Sequence, residues 1–134
     1  SVAPVVISVR VVDALKAGRF SGWETYPIDL FGKDGSRISG YHGLAVIGRC
    51  GLIDNSRSVK IQKIYPGGVF PAWRGLYFDP ETWDGSDLFM LANKWGHILV
   101  VDAVKRAFEK AKVTNVAFTA LEAVGRPDLE LRGS

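Results

Sequence analysis

"HILVVDAVKRAFEKAKVTNVAFTALEAV", His97 to Val124, is the stretch on which the reading of the fold turns. Val104, Ala107, Phe108 and Ala111 fall at helical spacing, with Lys105, Arg106, Glu109 and Lys110 away from them, which predicts an amphipathic helix over Asp102 to Lys112. Asp102 suits the positive start of that helix, and Lys110 and Lys112 suit its negative end. Before it, "HILVV" predicts a buried strand. After it, "VAFTALEAV" alternates Val116, Phe118 and Ala120 on one side and predicts another strand. The unit is strand, helix, strand.

The start of the chain repeats this unit in degenerate form. Val11 to Lys16, "VVDALK", aligns with Val100 to Lys105, "VVDAVK", and differs only where Leu15 stands against Val104. An apolar run lies behind each copy and an aromatic strand ahead, so a weak internal repeat covers residues 5–31 and 97–124. Its register starts the first helix near Asp13, with Ser8 as an alternative N-cap, and Gly18 ends it. Chance recurrence of six residues, mostly common ones, is the competing explanation.

Between the copies the signals are strands and turns. Asp34 and Gly35 in "GKDGSRISG" predict a hairpin turn after "YPIDLF", and "YHGLAVIGRCGLID" returns as an apolar strand. "SVKIQKIY" alternates less cleanly. "PGGVFPAWRGLYFDP", rich in glycine and proline, predicts an irregular connection with a short strand at "GLYF". The fold class is α+β: a mixed, mainly antiparallel sheet with two helices in two degenerate strand-helix-strand units.

At 134 residues the chain suits a single domain, 1–134, that buries its own core. No apolar run approaches the roughly 20 residues that cross a bilayer, so no membrane association is expected. The lone Cys50 forms no internal disulfide and points to a reducing, cytoplasmic setting. The start, "SVAPVVISVR", has no signal-peptide pattern. Charge is segregated: Arg49, Arg57, Lys60 and Lys63 cluster against Asp54 alone, whereas Asp79, Glu81, Asp84 and Asp87 follow with no base among them. Such polarity suits association with a charged partner, and equally two solvated loops.

"TWDGSDLFML", Thr82 to Leu91, is the main candidate for chemistry. The segment Asp79 to Asp87 departs from a calcium loop, because Trp83 occupies the fifth position and the glycine comes one residue late. Ser86 lacks the flanking glycines of a nucleophile elbow. His42 and His97 sit far apart in predicted strands, and Cys50 reads as a small buried hydrophobe. Gly40, Gly43, Gly48 and Gly51 do not make a dinucleotide fingerprint. Tyr65, Phe70, Trp73 and Arg74 offer stacking surfaces for single-stranded bases, but in no recognised nucleic-acid motif.

The ordered set "VVDALK", "YPIDLFGKDG", "YHGLAVIGRCGLIDNSRS", "WDGSDLF" and "HILVVDAVKRAFEKAKVTNVAF" resembles a bacterial immunity-protein family of polymorphic toxin systems. That family was formerly a domain of unknown function and includes a myxobacterial immunity protein. The likeness spans roughly Val9 to Leu121, and Trp83 to Phe89 is its most specific element. It implies a cytoplasmic bacterial protein that binds and neutralises a cognate protein toxin encoded by an adjacent gene. It implies no catalytic residue, cofactor or metal. Members often carry additional N-terminal residues, so a missing N-terminal segment is one expectation. Within the likeness, "TWDGSDLFML" becomes a turn at Asp84 and Gly85 that feeds Leu88, Phe89 and Leu91 into the core, with Asp87 tying backbone. Trp73, Arg74, Tyr77, Asp79, Glu81 and Trp83, from the least regular region, are the candidate partner-binding residues. Two alternatives stand: a small metabolite-processing enzyme using Glu81, Asp84 or Asp87 beside His97, and a nucleic-acid module using Arg49, Arg57, Lys60 and Lys63.

Overall fold

The computed structural model describes residues 5–92 and 94–127. Strand β1, Val5–Ser8, runs directly into helix α1, Val9–Ala17. Ser8 makes the switch, since its hydroxyl accepts the Val11 amide at 3.4 Å and so satisfies a free N–H of the first turn. The start near Asp13 is therefore corrected: the alternative cap, Ser8, begins the helix earlier, and Val11, Val12 and Leu15 form its buried stripe.

β2, Trp23–Tyr26, follows, and then the small hairpin of β3, Leu30–Phe31, and β4, Arg37–Ile38. Its turn is the expected one, with Gly35 at φ 83° and the Asp34 carboxylate accepting the Ser36 amide at 2.9 Å. β5, Tyr41–Val46, pairs antiparallel with both β1 and β2. At Ile47 the chain leaves this sheet, and β6, Gly48–Cys50, enters another. The crossing is held by the Gly22 carbonyl, which accepts the amides of Ile47 at 2.8 Å and Gly48 at 3.1 Å.

β7, Val59–Tyr65, and β8, Gly68–Arg74, then form a hairpin across Pro66 and Gly67, paired from Val59 opposite Arg74 to Tyr65 opposite Gly68. This corrects the sequence reading, in which residues 66–74 were an irregular connection and "GLYF" the strand. Pro71 and the glycines argue against a strand, but Pro71 takes a place in the ladder where sequence rules allow proline only at edges and irregularities. "GLYF" contributes only an isolated bridge, Phe78 to Ile53.

β9, Leu88–Leu91, lies between β6, parallel, and β10, Lys94–Val100, antiparallel. Helix α2, Asp102–Lys110, follows. Both helices close with the same left-handed cap: Arg19 at φ 53° and Lys112 at φ 57° precede Phe20 and Val113, whose amides donate to the carbonyls of Leu15 and Phe108. The expected strand at Val116 to Val124 is absent. An extended segment and a single 3-10 turn, Leu121–Ala123, take its place, and β11, Gly125–Pro127, pairs with β8 instead. The alternation there serves packing rather than pairing, since Phe118 meets Phe108 edge-on at 5.8 Å between ring centroids, while the carbonyls of Leu121 and Val124 accept the amides of Leu76 and Gly75.

Thus α+β holds, with mostly antiparallel strands distributed over several small sheets rather than one. Two hydrophobic cores result. Val11, Val12, Leu15, Val46, Leu88, Val104 and Phe108 fill one, between the helices and the first sheet. Cys50, Leu76, Phe89, Leu91 and Leu99 fill the other. β9 is the wall between them: Leu88 and Met90 face the first core, and Phe89 and Leu91 the second.

Phe108→Asp places an unpaired carboxylate in the first core and is expected to cost about 4 kcal/mol or more. Phe108→Leu keeps the face apolar and should cost far less. Thermal melts followed by circular dichroism distinguish them, and an unchanged melt for the aspartate variant contradicts the buried face assigned to α2.

Candidate functional site

The loop from Asp79 to Asp87 is built by carboxylates that accept backbone hydrogen bonds. Asp79 caps the 3-10 turn Pro80–Thr82 by accepting the Glu81 amide at 3.0 Å. Thr82 donates its hydroxyl to the Asp79 carbonyl at 2.6 Å and accepts the Gly51 amide at 2.8 Å. Asp84 then uses both oxygens: Oδ1 accepts the amide and hydroxyl of Ser86, and Oδ2 accepts the Arg49 amide of β6 at 2.8 Å. Gly85, at φ 84°, completes the turn, with open space where a Cβ would stand. Asp87 reaches the other way, where Oδ2 accepts the Ser21 amide at 2.8 Å and the Ser21 hydroxyl at 3.2 Å. The Asp87 carbonyl accepts the Val101 amide at 3.0 Å, at the threshold of α2.

The turn at Asp84 and Gly85 and the backbone tie through Asp87 are as the sequence predicts. What it does not display is the far end of each tie. Ser21, Gly22 and Gly48 lie well away in sequence, yet a Cβ on Gly22 or on Gly48 would overlap the Leu88 carbonyl oxygen. Ser86 is buried against this surface. Hydrogen bonds, first from the Ser86 side chain and then from the Ser86 and Arg49 amides, hold the Asp84 carboxyl below the usual carboxylate range.

The acid/base grouping is not assembled in one cleft. His97 lines a cleft of about 350 Å³ with Ile98, Thr119, Leu121 and Val124, and among the described residues no carboxylate lines it. Asp84 lines a different one, with Ser21, Gly48 and Ser86. Among the described residues, no three His, Cys, Asp or Glu side chains are grouped to hold a metal. Cys50 is buried, which pushes its thiol pKa up, with nearby Asp84 adding to the shift.

The basic set divides. Arg49 turns back onto the preceding backbone, donating to the carbonyls of Val46 at 2.7 Å and Gly48 at 2.8 Å. Arg57 lies over the Tyr77 ring at 4.3 Å, and Lys60 over Trp73 at 5.3 Å, so two candidate anchors are each covered by a cation from the preceding segment. Arg74 and Glu81 are exposed. Trp83 packs against Phe89 at 5.3 Å between ring centroids and donates Nε1–H to the Ser86 carbonyl at 3.0 Å, and so belongs to the second core.

Sequence reasoning missed Arg126. It is 4% exposed and gathers the Gly75 carbonyl, the Ser58 hydroxyl at 3.0 Å and the Asn55 side-chain oxygen, pinning β11 to the root of the β7–β8 hairpin. All of these acceptors are more than 50 residues away in the chain, and no local pattern announces them.

A family model described as the immunity protein family Imm11 matches residues 2–123. No curated protein matches the chain. Among the described residues, no helix is long and apolar enough to cross a membrane.

Two outcomes check the tied turn. Gly85→Val should cost about 1–2 kcal/mol through its left-handed backbone, with Gly85→Asn costing less. Because the folded pKa of Asp84 is depressed, its stabilisation is full above about 3.9 and lost as pH falls toward the folded value. The stability of the protein should therefore drop below that pH, and the Asp84→Asn variant, already less stable near neutrality, should drop less. Parallel pH–melting curves for the two proteins measure the difference.

Proposed function

As the chain belongs to the Imm11 immunity protein family, we propose that it neutralises a cognate bacterial toxin by stoichiometric binding, without catalysis, in the cytoplasm of the cell that makes it. The observation that carries this reading is the extent of the family match, which spans both cores and the tied turn between them. The side-chain chemistry agrees with it. The loop carboxylates Asp84 and Asp87 are occupied by backbone and serine donors, an arrangement that positions strands rather than moves protons.

The toxin is the product of an adjacent gene. Trp73, Arg74, Tyr77, Asp79, Glu81 and Trp83 supply the contact region. Trp73 and Tyr77 act there as aromatic platforms with their cations, and Trp83 acts through the loop it anchors. Binding energy in such a surface concentrates in a few desolvated anchors, and rim charges such as Glu81 mainly affect the rate of encounter.

Coexpression with the adjacent toxin should rescue growth, and the purified proteins should form a complex of fixed stoichiometry. Titration of toxin activity should reach its endpoint at that same ratio. Inactivation of excess toxin by trace amounts of this protein would instead establish an enzymatic antidote, and rescue without a physical complex would remove the binding mechanism.

A further inference from the structure

The β7–β8 hairpin has a composition its folding does not require. From Asn55 to Phe78 the chain carries Arg57, Lys60, Lys63 and Arg74 and no acidic residue. The third strand of its sheet, β11, pairs only with Ala72, Trp73 and Arg74, so among the described residues the outer rungs at 62–65 and 68–71 pair only with each other. Large apolar side chains crowd this outer half in water: Ile64 is 83% exposed, its cross-strand partner Val69 is 59% exposed, and Phe70, opposite Lys63, is 47% exposed. None of them belongs to either hydrophobic core, and exposed apolar groups gathered together are a feature of binding surfaces.

From this geometry we infer that the β7–β8 hairpin is an inserting arm, whose tip pair Ile64 and Val69 enters an apolar recess on the toxin while Lys60, Lys63 and Arg74 meet an acidic rim around it. The inference rests on the immunity reading and specifies its interface. The acidic rim follows from charge complementarity, since the segment from Asn55 to Phe78 carries basic residues and no acidic one. The recess follows from shape: among the described residues the outer rungs are two-stranded, and a two-stranded tip buries most of its apolar area in a concavity. The arm is continuous with the proposed contact region, because Trp73 and Arg74 lie on its inner rungs.

Other occupants fit less well. A second copy adding antiparallel to the β7 edge about the midpoint of Ile61 and Gln62 would set Lys60 of one chain opposite Lys63 of the other, a like-charge contact. Single-stranded nucleic acid needs accessible rings for base stacking, whereas among the described side chains of the arm the two most exposed apolar ones are aliphatic and the Trp73 ring is covered by Lys60.

The test uses the full chain and the purified product of the adjacent toxin gene, with association and dissociation rates measured at low and high salt. Ile64→Asp with Val69→Asp should speed dissociation about a hundredfold, and Lys60→Glu with Lys63→Glu should slow association about tenfold at low salt. The second effect should vanish at high salt, and Asp or Glu to Lys changes in the toxin should rescue it. Melting curves matching wild type show that the variants fold, with the milder Ile64→Ser used if the aspartates lower stability. Wild-type rates for all of these variants overturn the arm while the immunity reading stands. Should an RNA oligonucleotide or anionic vesicles then bind through the same lysines, the hairpin belongs to that ligand instead. If the wild-type chain forms no complex and gives no rescue, the immunity reading falls and this proposal with it.

Discussion

Two carboxylates set the position of one strand, and the rest of the fold depends on where that strand lies. Asp84 holds β6 through the Arg49 amide, and Asp87, three residues on, holds the exit of α1 through Ser21. Between them the chain is committed to a turn and released as β9 in one register only. A slip by a single residue would exchange Leu88 and Met90 with Phe89 and Leu91, reversing which core each side chain enters. Both cores are therefore specified at the same place, by charge-assisted hydrogen bonds to backbone acting together with the hydrophobic alternation of β9. The close approach at Gly22 and Gly48 reinforces this, because no side chain fits between those backbones and the Leu88 carbonyl.

Legibility in the sequence follows the range of the interaction. The amphipathic face of α2 and the Asp34–Gly35 turn depend on neighbours within a few residues, and each is readable, whereas the single apolar strand expected over "YHGLAVIGRCGLID" is two strands in different sheets, because the distant Gly22 carbonyl holds the crossing at Ile47. The start of α1 was misplaced because the repeat aligns Asp13 with Asp102. The two helices instead correspond at their caps, Gly18 with Ala111 and Arg19 with Lys112, so the matching letters sit about a turn deeper in α1 than in α2. β8 was missed because Pro71 normally argues against a strand, and its long antiparallel partner β7 decides otherwise. At the site, Asp84, Gly85 and Asp87 were legible as a turn and a tie, whereas Ser21, Gly48 and Arg126 were not, since their partners come from distant parts of the chain.

The molecule thus separates two kinds of surface. Around the tied turn, polar groups are spent on one another, as with Ser86, Thr82 and the loop aspartates. Along the β7–β8 hairpin and its flanks, cations lie over aromatic rings and aliphatic side chains face water. A protein that must bind tightly while remaining folded gains from this division. On the proposed interface, substitutions along the hairpin would have little effect on the register of β9, since additivity between such distant sites is the physical expectation.

Arg126 and β11 sit just past residue 123, where the family match ends, yet they grip the hairpin at its root. The mounting and the scaffold are accordingly drawn from different parts of the chain. A lineage that altered only these closing residues would re-aim the projecting strands like a tool turned in its handle, leaving both interiors and the aspartate ties unchanged. On the proposed interface, such a change would alter the angle at which the hairpin is presented without altering its contact chemistry.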